Sequence, residues 1–275
     1  MKLKATICVA AAVVLVGITP ATAHELFLKA SSYFPDAKSE QVIRLVNGTF
    51  NKSENSIDRS RMKNVTIIGG GKKTNPTAES WYDESNTSFL KYQTGTSGTY
   101  VVGVSTKPKE LTTSREDFIA YLEHDGILDT LKDFTATSKL TKVTERYSKH
   151  VRAITQVGSD RTRDYTQELG YPVEIVLEKN PYDVRFGADM PFRVLFRGQP
   201  AANQLVRASY EGFHGHDSTG AHISSVEMRT DQDGRASFLL SNKAVWYLTL
   251  IHMQKVDEAG VDYESNWATV TFQVK

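Results

Sequence analysis

The stretch TERYSKHVRAITQ, residues 144–156, carries Tyr147, Val151 and Ile154 at i, i+4 and i+7. That spacing sets three apolar side chains on one face of a 3.6-residue period and predicts a helix. Upstream, Ser114-Arg115-Glu116-Asp117 places a hydroxyl three residues ahead of a carboxylate, a capping-box-like helix start. Phe118, Tyr121, Leu122, Leu128 and Leu131 then recur at helical spacing, with a break at Gly126. Together these stretches predict a helical segment over residues 108–171.

On either side the pattern is that of strands. Residues 24–107 hold short runs, Glu25–Ala30, Gln41–Val46, Asn64–Ile68, Ser88–Gln93 and Thr99–Ser105, separated by Gly, Asn and Ser clusters. Residues 172–275 hold seven more: Val173–Glu178, Met190–Phe196, Leu205–Tyr210, Ser225–Thr230, Arg235–Leu240, Trp246–Gln254 and Trp267–Val274. Thr230-Asp231-Gln232-Asp233-Gly234-Arg235 places an Asp-Gly pair between two alternating runs, a hairpin signal. The expected fold is mainly β, with two β-sandwich-like domains and a helical segment between them.

Residues 1–23 have the layout of a secretory signal peptide. Lys2 and Lys4 precede an apolar run from Ile7 to Ile18, and Ala21-Thr22-Ala23 is a small-x-small triplet that places cleavage after Ala23. The run is shorter than the roughly 20 apolar residues that cross a bilayer, so no membrane anchor is expected. Cleavage leaves 252 residues without the chain's one cysteine, Cys8, so a periplasmic or secreted product holds together without disulfides. Without Lys2 and Lys4 the 33 basic residues become 31 against 32 acidic ones. That balance gives no reason to expect nucleic acid as a partner.

Cleavage there would make His24 the first residue. A terminal amine and the imidazole on the same residue can chelate one metal ion, and one further histidine completes a three-nitrogen histidine brace. His252 lies in the apolar run Tyr247–Met253, where alternation sets it on the face of Leu248 and Leu250. Phe213-His214-Gly215-His216-Asp217, with His222 close behind, is the densest imidazole and carboxylate cluster in the chain. On a strand His214 and His216 would share a face and suit a transition metal, while on a Gly-rich loop they would be a solvated turn. His124 and His150 fall among charged neighbours in the segment read as helical and are expected at the surface or between domains. Asp231-x-Asp233-Gly234 opens like a calcium loop, but Asn242 stands at the twelfth position where a glutamate is needed. No hydrolase motif or phosphate-cradling loop is present, and no catalytic residue is assigned.

His24-Glu25-Leu26-Phe27-Leu28, Phe118–Leu122 followed by Gly126, Glu145–Lys149 continuing through Val157-Gly158, and Thr230–Arg235 with Trp246–Met253 occur in this order in one family. The chain resembles exported bacterial proteins of a domain-of-unknown-function family (DUF4198 type), related to periplasmic components of cobalt and nickel uptake systems. The resemblance implies an N-terminal β-rich domain and a C-terminal transthyretin-like or carboxypeptidase-regulatory-like sandwich. It also implies handling of nickel or cobalt beside a membrane metal transporter, while three nitrogen ligands suit copper most by intrinsic affinity and make it the alternative ion. His24 and His252 match family positions, whereas Phe27 stands where the family commonly has tryptophan. Two other functions compete with metal uptake or buffering. One is a copper-dependent oxidase built on the brace, and the other is a carbohydrate-binding or adhesive module without metal.

Overall fold

The computed structural model describes residues 25–216, 219 and 221–275. Cleavage after Ala23 and the conformation of His24 lie outside these residues. The chain forms mostly strands with two short helices, in the mainly β, sandwich-type class expected. Among the described residues no helix is long and apolar enough to cross a membrane.

The first half contributes β1 (Glu25–Ala30), β2 (Glu40–Thr49), β3 (Lys52–Ser53), β4 (Met62–Gly69), β5 (Lys72–Thr74), β6 (Trp81–Glu84), β7 (Thr87–Gln93), β8 (Gly98–Thr106) and β9 (Lys109–Ser114). Strands β1-β2-β7-β6 form one antiparallel sheet, with β3 on β2. Its inner face, with Leu26, Leu28, Ile43, Leu45 and Leu90, buries against Val102 and Val104 of β8. Helices α1 (Arg115–His124) and α2 (Leu128–Thr137) follow where the sequence places them. Ser114 caps α1 by accepting from the Asp117 N–H at 3.0 Å. Gly126 ends the turn at φ +64°, with the Ile127 N–H reaching back to the Leu122 carbonyl at 2.8 Å.

The segment Thr144–Gln156 is not a helix. It lies within β10 (Lys142–Val157), the longest strand of the protein at 16 residues. Along a strand Tyr147 and Val151 share a face and Ile154 takes the other, so the i, i+4, i+7 spacing combines two faces. Both are covered: Val151, Ala153 and Val157 pack in the first core, while Ile154 packs in a second core. A strand buried on both sides shows no polar alternation to distinguish it from a helix.

The second half supplies β11 (Val173–Leu177), β12 (Asp189–Phe196), β13 (Gln199–Pro200), β14 (Leu205–Tyr210), β15 (Gly215–His216), β16 (His222–Ile223), β17 (Val226–Arg229), β18 (Arg235–Leu239), β19 (Val245–Glu258) and β20 (Val261–Gln273). A nine-stranded sheet runs β17-β14-β19-β20-β10-β8-β4-β5, with β9 beside β10. Strands β10 and β20 pair in parallel, from Glu145 opposite Tyr263 to Ala153 opposite Thr271. The β11-β12-β13 sheet, with β18 on β12, covers the other side of the second core around Phe192, Trp246, Leu248 and Phe272. The Asp233-Gly234 turn does not close a hairpin: β17 pairs with β14 and β18 with β12, so the turn carries the chain between sheets. Asp231 Oδ1 holds it by accepting the Asp233 and Arg235 N–H groups at 2.9 and 2.8 Å.

At the centre Arg152 of β10 donates to Glu174 of β11, both nearly fully buried at 3% and 4% exposure. Glu174 also accepts the backbone N–H groups of Leu169, Gly170 and Tyr171 at 2.9, 2.8 and 3.1 Å. This carboxylate therefore fixes the loop ahead of β11 to the central strand. Glu174→Ala strands a buried guanidinium and is expected to cost about 3–5 kcal/mol in denaturant unfolding. Arg193→Ala removes the partly exposed partner of Glu168 and is expected to cost about 0–1 kcal/mol. Equal losses would refute the anchoring role.

Candidate functional site

Three of the seven histidines come together. Strands β15 and β16 form a two-stranded ribbon in which His216 and His222 are cross-strand partners. Their ring centroids lie 5.7 Å apart, and the His214 ring is 6.2 Å from that of His222. All three side chains are exposed. The ribbon thus places His214 and His216 each within about 6 Å of His222, while Asp217 lies outside the described residues. Two imidazoles sharing one ion through bonds of about 2 Å hold their centroids roughly 5–6 Å apart. Among the described residues no group of three or more His, Cys, Asp or Glu side chains is arranged to hold a metal ion. Rotation about exposed side-chain torsions would be needed to turn the three ring nitrogens toward one point.

The ribbon is tied to the body at its base. Lys29 of β1 pairs with Glu211 at 2.7 Å, and Phe213 packs edge-on against Tyr210 at 5.0 Å. Lys29 also lies 4.3 Å over the Phe50 ring. Phe27 packs edge-on against Phe50 and Tyr247 at 5.2 and 5.3 Å. Its ring is fully buried, so position 27 serves packing here.

His252 lies on β19 opposite Asn266 of β20, on the Leu248 and Leu250 face that alternation predicts. Its ring packs against Phe196 at 4.0 Å, and its Nδ1 lies 2.9 Å from Gln204 Oε1. Because a carbonyl oxygen only accepts, Nδ1 carries the proton and Nε2 keeps its lone pair. Burial, with the nearby Arg197 charge, holds this imidazole below its ordinary pKa and so neutral. A fixed tautomer with a free Nε2 is what metal ligation requires.

At the start of β1, Glu25 enters a polar cluster between the sheets. Burial pushes its carboxyl up to about 7, opposed by a hydrogen bond from Thr249. Burial likewise pushes the Lys149 ammonium down to about 8. Lys149 also reaches Asn47 Oδ1 at 3.4 Å and lies 5.3 Å over the Trp267 ring. Nothing in the sequence marks this pair, since Glu25 and Lys149 lie more than a hundred residues apart.

The remaining histidines divide. His124 is exposed and paired with Asp125 at 2.9 Å, at the surface as expected. His150 is instead buried in β10 at 3% exposure, because the segment holding it is a strand rather than a surface helix. Ser148 donates to Asn266 Oδ1 at 2.9 Å, so His150 Nε2 donates to that pair while Nδ1 accepts from Ser105 at 2.9 Å. Burial, reinforced by the Lys63 charge, pushes this imidazole down to about 4.

A match over residues 21–254 to the model of the family described as "Domain of unknown function (DUF4198)" shows that the chain belongs to that family. No curated protein matches. Solved structures that align over most of the chain include the D0-D1 domain of intimin, at 12% identity over 91% of this chain and 98% of that one, with a TM-score of 0.21. The Yersinia pseudotuberculosis adhesin InvE aligns at 12% identity over 92% and 59%, TM-score 0.23. A two-domain fibronectin type III segment of chicken tenascin aligns at 10% over 91% and 99%, TM-score 0.22. TM-scores this low lend no weight to any functional inference.

The burial of His150 has a consequence for stability. The folded chain holds the ring neutral down to about pH 4, whereas an unfolded histidine protonates near about 6.5. The unfolded state therefore binds the extra proton between those values, and this contribution falls as pH drops through that window. His150→Gln is expected to cost on the order of 1 kcal/mol at pH 7 through lost hydrogen bonds. Its deficit relative to the unaltered protein should shrink as pH falls from 6.5 toward 4. Thermal melts of both proteins across that range check this, and a constant deficit would contradict it.

Proposed function

We propose that the protein binds a divalent transition metal ion outside the cytoplasm, nickel or cobalt with copper as the competing ion, and delivers or buffers it for a membrane uptake system. The observation that carries this reading is the grouping of His214, His216 and His222 on one ribbon, with centroids at 5.7 and 6.2 Å. Imidazole nitrogens suit the later first-row metals, with copper bound most strongly and nickel next, so metal supply and geometry decide which ion is carried. An exposed ribbon suits transfer, because the ion is reached and released without opening a core. His252 offers a second, oriented imidazole, and the terminal chelate at His24, in a chain cleaved after Ala23, is the competing site.

Calorimetry and elemental analysis on protein exported and cleaved to begin at His24 test the reading. One variant carries an extra residue ahead of His24, and another carries His214→Ala, His216→Ala and His222→Ala together. The expected result is about one equivalent of metal, lost in the triple variant, kept in the extended one, and weakened on acidification as imidazoles protonate. Loss on extension alone would move the site to His24 with His252. No binding by any form would reject metal handling.

A further inference from the structure

Outside the histidine sites, the first sandwich carries a cleft of about 480 Å3 beside β4 and β5. Its lining includes three cations, Arg59, Lys63 and Lys73, and no carboxylate. In a chain whose net charge is +1, such segregation is local rather than a general excess of base. Lys63 and Lys73 are exposed, and neither has an ion-pair partner among the described residues. Arg59 lies over Trp81, 5.1 Å from the ring centroid, and pairs with Asp83 at 2.8 Å, but its buried Nε has no acceptor. The guanidinium therefore keeps unused donor capacity. The rest of the polar lining is amide and hydroxyl: Asn64, Asn75, Thr66 and Thr77. Asn75 accepts from Thr66 through Oδ1 at 3.3 Å, and its NH2 donors have no protein partner among the described residues.

Lys63 also lines a second cleft of about 580 Å3, so the two adjoin at that residue. There Arg146 and Arg197 flank Glu264 at 3.3 and 3.0 Å, with Asn266 donating to the same carboxylate at 3.1 Å. The other carboxylates of this lining are engaged, Glu174 by Arg152 and Glu168 by Arg193. Both volumes are in the range of small-molecule sites. Three features thus coincide: anion-seeking charge in the first cleft, side chains suited to hydroxyls, and two adjoining volumes that together exceed the room one monosaccharide needs.

We propose that the two clefts form one groove for an acidic oligosaccharide, with its anionic groups set against Arg59, Lys63 and Lys73 and its hydroxyls against Asn64 and Asn75. This site is separate from the histidine ribbon and does not require a metal. The test is calorimetry on the full exported chain, with chelator present, against a tetra-uronate, a sulfated tetrasaccharide and a neutral tetrasaccharide. The acidic ligands should bind and the neutral one should not, and affinity should weaken as salt rises. Lys63→Ala with Lys73→Ala should lower affinity about tenfold, two exposed charge contacts' worth, with an unchanged melting temperature. Tighter binding of the uronate assigns carboxylate as the recognised group, and tighter binding of the sulfated ligand assigns sulfate. Absence of acidic-ligand binding at millimolar concentration, equal binding of the neutral ligand, or full affinity in the double variant would each overturn the proposal.

Discussion

The burial of β10 on both faces governs the rest of the architecture. Val151, Ala153 and Val157 close the first core while Ile154 enters the second, so neither sandwich is complete without this strand. Its parallel pairing with β20 and antiparallel pairing with β8 place strands from both halves of the chain in one sheet. A charged residue so placed must find its counter-charge inside the protein. Arg152 does so at Glu174, which also gathers three backbone N–H groups and holds the Leu169–Tyr171 loop against the sheet. The same strand sets Arg146 and Ser148 in the wall of the second cleft and buries His150 behind them.

How much of this the sequence reveals depends on whether one face of an element meets water. Strands such as β12 and β14 are readable because they alternate, and His252 occupies the face that alternation assigns. Strand β20 is recognised only from Trp267 onward, because Asp262, Glu264 and Asn266 mask its earlier half, where side chains bind Arg146, Arg197 and a backbone N–H of β10. Thr144–Gln156 is misread because both faces are buried and both carry polar as well as apolar side chains, so no period-2 alternation shows. The Asp233-Gly234 turn is recognised as a turn, but a turn alone does not specify whether its flanking strands share a sheet.

The candidate site residues follow the same division. The histidine ribbon is legible because its imidazoles are close in sequence, and only their cross-strand geometry needs the fold. The cationic lining of the first cleft is illegible because Arg59, Lys63 and Lys73 carry no motif and meet only where β4 and β5 pack. Glu25 and Lys149 likewise become neighbours through the docking of β1 on the central sheet, which leaves no local trace.

The ribbon and His252 offer two different kinds of ligand. His214, His216 and His222 are exposed and mutually close, whereas His252 is single, oriented by Gln204 and packed against Phe196. Imidazole-resolved NMR during a nickel titration separates them most directly. The account predicts that the His214, His216 and His222 ring signals shift or broaden together up to one equivalent while those of His124 and His150 stay fixed. Perturbation of His252 with the ribbon signals unchanged would contradict it.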